Sequence, residues 1–435
     1  MRSRHSSVKT TRNVGWRRRR REGCQLRPVG RLPLGAAATA FNVALFAAAA
    51  SFAGDFEEPP GFSAAQVLPH NLLYSRYYRL DERVGLENSQ YVFRMHTIWG
   101  AIVIRGSDLL RLRAREIAAT AKLERVSGPE TATISAVSTA LKPVETATDL
   151  ITTPIRTIGD TVRGAGHIFG TANAAMRAHD PHRDGIIASV TGASAARRKL
   201  AFGLGVDPNT SFPPLSKQLT RLATASAFGE TGANVGLSFI GGPAGLAIGA
   251  TGTSNSLREA LRDKTAAELE RDGRQVLARK GVSKAIIEAF YANATLTPTD
   301  KAIIVGVLEK LHRTRGCGIF VASAAKASTI KMGFFYRRQA ELIATYAKRI
   351  APLQRFVRLG GTPMLQTSKG TVSLLPVDYL IWTPQLADLA MGANRDGGGK
   401  GGGEIWITGK ASPMAIAELA ELGWTVVPDA AQRGN

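Results

Sequence analysis

From Thr231 to Thr253 the chain reads TGANVGLSFIGGPAGLAIGATGT, a stretch without one charged side chain in a strongly basic protein. Gly232 and Gly236, and then Gly241, Gly245 and Gly249, recur every fourth residue. On a helix that spacing makes a smooth stripe against which another backbone can pack closely. The large apolar side chains, Val235, Leu237, Phe239, Ile240, Leu246 and Ile248, are together worth only about −2 to −4 kcal/mol of bilayer insertion. Asn234 and the glycines erode this gain, and Gly241-Gly242-Pro243 breaks the run into two arms. Three readings stay open: a helical hairpin buried in a protein core, a membrane-contacting hairpin, and a loop. The first is favoured because arms this short usually belong inside a protein.

The amino terminus carries an export signature. Arg17 to Arg21 form a run of five arginines, and an uncharged apolar segment follows from Leu32 to Ala53. Ser51-Phe52-Ala53 places small residues where a signal peptidase reads, just before Gly54 and the acidic Asp55-Phe56-Glu57-Glu58. Residues 1–53 are therefore expected to be a signal peptide cleaved after Ala53, and the protein to be periplasmic or envelope-associated. Arg20-Arg21 lack the spacing of a good twin-arginine signal. Removing residues 1–53 takes away 11 basic residues and one acidic residue, leaving 45 basic against 33 acidic, a formal charge of +12. Such a balance favours anionic partners, and for an exported chain these are anionic lipid or an envelope polymer rather than nucleic acid. Cys24 leaves with the leader, so Cys317 has no partner for a disulfide and stability must come from a packed core.

Periodicity divides the rest. Residues 54–126 read as a lead-in, a β-hairpin and a helix: Tyr91 to His96 and Ala101 to Arg105 alternate around Thr97-Ile98-Trp99-Gly100, and Ser107 opens a helix to Val126. Arg111, Arg113, Arg115 and Lys122 of that helix read as a solvated basic face. Residues 127–184 are rich in Thr, Ala and Gly. Pro143 and Pro154 open short amphipathic helices there, with Ile158 and Phe169 as candidates for membrane contact. Residues 185–351 read as a helical array that includes the glycine stretch. Its helices are expected at Ile186–Leu204, from Pro214, at Ser256–Arg262, Thr265–Lys280, Ser283–Asn293, Pro298–His312 and Ser328–Ala351. Residues 352–435 read as a small α/β segment interrupted by a glycine linker at 397–403. The fold expected is mainly α with a minor α/β part: a helical array with an N-terminal β-hairpin and a small C-terminal α/β segment. The runs RGSDLLRLRAREIAA, ARRKLAFGLGVDPNT, PVDYLIWT and ITGKASPMAIAELAELGW resemble a group of exported proteobacterial proteins with no assigned activity. That resemblance implies an envelope location and assigns no catalytic residue.

Motifs for chemistry are weak. His179 and His182 flank Asp180-Pro181, and the proline prevents presentation on one helical turn, so no metal site is expected although these two are the nearest candidates. Ser323 to Lys326 and Ser328 to Lys331 both match Ser-x-x-Lys, without the further elements of penicillin-binding enzymes. Gly164 to Gly170 is one residue too long for a dinucleotide loop, and Gly-x-Ser-x-Gly and His-Glu-x-x-His are absent. No cofactor is expected. In Phe334-Phe335-Tyr336-Arg337-Arg338 the aromatics are expected in the core and the arginines in solvent. The chain reads as non-enzymatic, an exported basic protein that adheres to an anionic membrane or envelope surface through amphipathic helices and the glycine stretch. A periplasmic hydrolase and a pore-forming or toxin-like protein are the second and third readings. The candidate membrane-contact residues are Gly232, Gly236, Phe239, Ile240, Gly241, Gly245 and Gly249, with Ile158 and Phe169.

Overall fold

Alternation of buried and exposed side chains organises the first described stretch. The computed structural model describes residues 56–126, 192–227, 255–398 and 402–430, all within the unit Phe56–Asn435. Strands β1 (Phe62–Ser63), β2 (Tyr78–Leu80), β3 (Arg83–Glu87), β4 (Gln90–Thr97) and β5 (Gly100–Arg105) form an antiparallel sheet. β4 is its centre, with β5 along one side and β2 and β3 end to end along the other. Asn88 and Ser89 connect β3 to β4 with positive φ at both residues, the geometry that matches strand twist in a two-residue hairpin. Tyr91, Phe93 and Met95 point inward from β4 and pack against Leu110 and Ile117 of helix α2 (Ser107–Val126), which follows the short helix α1 (Ala64–Val67). Burial of each such side chain contributes about 1.5–3 kcal/mol.

The helical array continues with α3 (Ala193–Gly203), α4 (Pro213–Ala227), α5 (Asn255–Asp263), α6 (Ala266–Arg279), α7 (Lys284–Ala292), α8 (Pro298–Lys310), α9 (Gly318–Ala324) and α10 (Ile330–Arg349). Their starts are written in the sequence: Thr265 and Thr297 accept the amide hydrogens of Glu268 and Asp300, whose side chains return the bond to the capping threonine. Helix α9 lies outside the expected elements.

The carboxyl part is built around a mixed five-stranded sheet. β6 (Arg355–Leu359), β7 (Thr362–Thr367) and β8 (Gly370–Leu375) form an antiparallel meander. Strand β10 (Gly403–Ile407) then adds parallel to β8, and β12 (Trp424–Val427) parallel to β10. The connections carry α11 (Pro384–Asp396) and α12 (Pro413–Glu421), together with β9 (Tyr379–Leu380) and β11 (Lys410–Ala411), which pair as a separate two-stranded ribbon. Alternate residues of this mixed sheet enter two cores. Phe356, Leu365, Val372, Leu374 and Trp406 meet Phe320 and Tyr346 of the array, while Leu359, Met364, Ile405, Ile407 and Trp424 meet α11 and α12. A sheet covered by helices on both faces is a three-layer arrangement.

The expectation of a mainly α fold with a minor α/β part is therefore corrected. Of the described residues 52% are helical and 20% strand, distributed over three sheets, and that strand share is ordinary for a mixed domain. Local pattern hides the added strands because β2 and β3 are short and β7 contains Pro363, which the pairing accommodates opposite Arg358.

Candidate functional site

The sequence-derived candidates do not come together in the described structure. Gly232, Gly236, Phe239, Ile240, Gly241, Gly245 and Gly249 lie outside the described residues, as do Ile158, Phe169, His179 and His182. The Ser-x-x-Lys pairs are inside and are occupied otherwise. Buried Ser323 donates its hydroxyl to the Ile319 carbonyl within its own helix at 3.0 Å, and Ser328 faces the Met332 sulfur at 3.3 Å. Lys331 reaches Glu87, 3.2 Å away. Cys317 is buried, and that burial pushes its thiol up, away from the thiolate a nucleophile needs. Among the described residues no three His, Cys, Asp or Glu side chains converge on a metal position, and no helix is long and apolar enough to cross a membrane.

Charge is concentrated in an unexpected place. Arg337 of α10, expected in solvent, is 3% exposed. Its guanidinium lies 3.3 Å from Asp300 of α8, 3.3 Å from Glu341 and 3.9 Å from Asp207, which follows α3. Burial opposes its charge, yet Glu341, Asp300 and Asp207 together hold it above the ordinary arginine value. Arg338 bridges Glu341 and Asp108 of α2. Arg113, also expected in solvent, is 8% exposed and pairs with Glu116, to which Thr210 donates as well. Asp207 accepts from Thr299 at 2.6 Å and from the Asn209 amide at 2.7 Å, and burial, only partly offset by Arg337, pushes its carboxyl up to about 6. These groups tie α2, α8, α10 and the Asp207–Thr210 turn together. Their carboxylates and guanidiniums are engaged with one another, so the arrangement serves as a structural joint.

A second joint fixes the amino-terminal sheet on the carboxyl part. Asp378, just before β9, accepts the amide hydrogens of Tyr91 at 2.9 Å and Ser107 at 3.1 Å. Burial raises its carboxyl to about 6 against these hydrogen bonds. Gln90 donates to the Pro376 carbonyl at 2.7 Å, and Gly106 admits the Gln90 side chain, since a Cβ there would lie 2.4 Å from its oxygen. Glu57 extends the attachment: its carboxylate accepts from the Trp382 amide and from the Ser412 hydroxyl that caps α12.

What these joints hold in place is the outer face of the amino-terminal sheet. Cross-strand pairing sets its side chains in rows. Tyr74, Arg79, His96 and Ala101 form one row, Arg94 faces Val103 in the next, and Gly85, Val92 and Arg105 form a third. Arg83 follows on β3. Asp81 engages His96 at 2.7 Å and Arg94 at 3.7 Å, and Glu87 engages Arg105 at 2.6 Å as well as Lys331. Four arginines thus face two carboxylates, and Arg79 and Arg83 have no acidic partner among the described residues. Tyr74, Ile98 at the β4–β5 turn and Val103 are 47%, 54% and 52% exposed, apolar points set among the cations. The alternation of Arg79, Arg83 and Arg94 with buried Leu80, Val84 and Met95 is the sequence signal for this face. On β2 and β3 that alternation is too brief to mark a strand by itself.

A groove of about 540 Å³ lies between the Gly360-Gly361 turn and Gln385, Asp388 and Arg395 of α11. Its second acid, Asp396, accepts the Gly360 amide hydrogen, and no Ser, Thr, Cys, His or Lys lines it. No protein-family model, curated protein or solved structure matches the chain.

Proposed function

We propose that this protein is an exported, basic, non-enzymatic component of the bacterial envelope that adheres to an anionic surface of that compartment. The observation that carries the reading is the outer face of the amino-terminal sheet, where arginines outnumber carboxylates two to one and stand among exposed apolar side chains. The export reading draws on the arginine run and apolar segment of residues 1–53, and the excess of basic over acidic residues persists without them. Electrostatic attraction to anionic groups contributes about 1 kcal/mol per basic residue close to the surface. The engagement of the Ser323 hydroxyl with the Ile319 carbonyl, of Ser328 with the Met332 sulfur and of Lys331 with Glu87 favours this reading over a Ser-Lys hydrolase.

Cell fractionation of the chain expressed with its own leader, with mass determination of the amino terminus, tests the proposal. The expected species begins at Gly54, sediments with the envelope at low ionic strength and is released by high salt or alkaline carbonate. An uncleaved cytoplasmic species, or a periplasmic one that ignores every anionic surface offered, would refute it.

A further inference from the structure

We infer that the outer face of the amino-terminal sheet docks on an anionic phospholipid bilayer, with Arg79, Arg83 and Arg94 at the headgroup phosphates and Ile98 and Val103 in the layer beneath. The inference rests on the envelope-adhesion reading and adds the surface and the occupant. Charge complementarity is its first support. Asp81 is taken by Arg94 and His96, and Glu87 by Arg105 and Lys331, which leaves Arg79 and Arg83 to meet an external anion. Both are exposed on neighbouring strand segments along one side of β4.

The apolar points choose among anionic occupants. A hydrated polysaccharide offers little apolar volume for an aliphatic side chain to enter, and single-stranded nucleic acid is held by aromatic faces on which bases stack. Here the most exposed apolar groups are the branched aliphatics of Ile98 and Val103, with Ala101 beside them, which gain by leaving water for the headgroup and acyl boundary. Tyr74, half exposed at the end of the Arg79 row, has the apolar body and polar tip suited to that boundary. The face is also preorganised, since β4 is hydrogen-bonded on both sides and its first residues are bound by Asp378 and by the Pro376 carbonyl.

The test is vesicle co-sedimentation of the chain lacking residues 1–53, using equimolar phosphatidylglycerol and phosphatidylethanolamine, with phosphatidylcholine vesicles, immobilised heparin and a single-stranded oligonucleotide run alongside. Arg79→Gln with Arg83→Gln should weaken binding to the anionic vesicles about thirtyfold, about fivefold per arginine. Ile98→Ser with Val103→Ser should weaken vesicle binding about tenfold while leaving heparin retention unchanged. All four positions are exposed, and unchanged thermal melting by circular dichroism checks that the variants fold. If the arginine pair matters on heparin and vesicles alike and the aliphatic pair matters on neither, the occupant is a polymer and the bilayer inference is overturned while envelope adhesion stands. Oligonucleotide binding tighter than vesicle binding, and lost in Tyr74→Ala, also overturns it. Vesicle binding unaffected by all four substitutions places the contact elsewhere and overturns it too. Wild-type protein that binds neither vesicles nor polymer removes the adhesion reading itself.

Discussion

Arg337 shows how one residue can organise several helices. Its three carboxylate neighbours come from α8, from α10 itself and from the turn after α3, so its removal leaves three buried acids without their shared cation. Breaking a buried ion pair by deleting one partner typically costs about 3–5 kcal/mol. Arg337→Ala should lower the unfolding free energy by about that amount, read from the urea midpoint at unchanged slope. A loss below ~1 kcal/mol would mean that water reaches the site and that the pairs are worth no more than surface ones. Local pattern misassigns this residue for a physical reason. On α10 the alternatives for an arginine are solvent or a partnered interior, and the partners Asp207 and Asp300 lie far away in sequence. The neighbouring aromatics are legible, since Phe334, Phe335 and Tyr336 pack against three different cores.

At the scale of elements, the turn between β6 and β7 combines conformation with close approach. Gly360 and Gly361 both have positive φ, and a Cβ on Gly360 would lie 2.4 Å from the Leu389 carbonyl oxygen of α11. Gly360→Ala should cost about 2 kcal/mol or more, since strain at an unfavourable φ adds to displacement of a helix backbone. Gly361→Ala has the same φ problem without the clash and should cost less. Equal losses in thermal melts would assign the whole effect to φ. Elements with a strong local signal are legible in the amino-acid sequence: the β4–β5 hairpin, α2 from Ser107, the threonine-capped helices α6 and α8, and α11 and α12 behind Thr383 and Ser412. Strands with weak local signals are not. β3 contains Gly85 and β7 contains Pro363, and both are stabilised by neighbours across the sheet more than by their own composition. The basic face is lost with β2 and β3, because a surface made by cross-strand rows exists only once the register is known. The parallel order β8, β10, β12 depends likewise on crossovers that no local pattern encodes.

Across the whole molecule, the two joints predict how stability responds to acid. Asp207 and Asp378 sit in different joints, and burial raises each from 3.8 to about 6. An unfolded chain would hold both near the ordinary value, so between about pH 4 and 6 the folded state binds protons that the unfolded state has lost. Stability then falls as pH rises through that window, and each ionised carboxylate costs up to ~3 kcal/mol at neutral pH. The surface acids Glu87, Asp263 and Asp272, held low chiefly by hydrogen bonds from Arg105, Arg262 and Lys264, act in the opposite sense. Their stabilisation is complete above the ordinary carboxylate range and is lost as pH drops through their lowered values, and solvent exposure keeps it small. The sum is a stability maximum in acid, at about pH 4, with the urea midpoint declining from there toward neutrality. Asp378→Asn separates this account from a general charge effect. The amide oxygen still accepts the Tyr91 and Ser107 hydrogens, while the cost of ionisation is gone. The variant should therefore match the wild type near pH 4, exceed it by ~1–3 kcal/mol at neutral pH, and show a flatter profile between. A wild-type midpoint that climbs steadily from weak acid to neutral pH, or a variant that runs parallel to it, would mean that Asp378 is hydrated and that the joint is held by Gln90 and Glu57 instead.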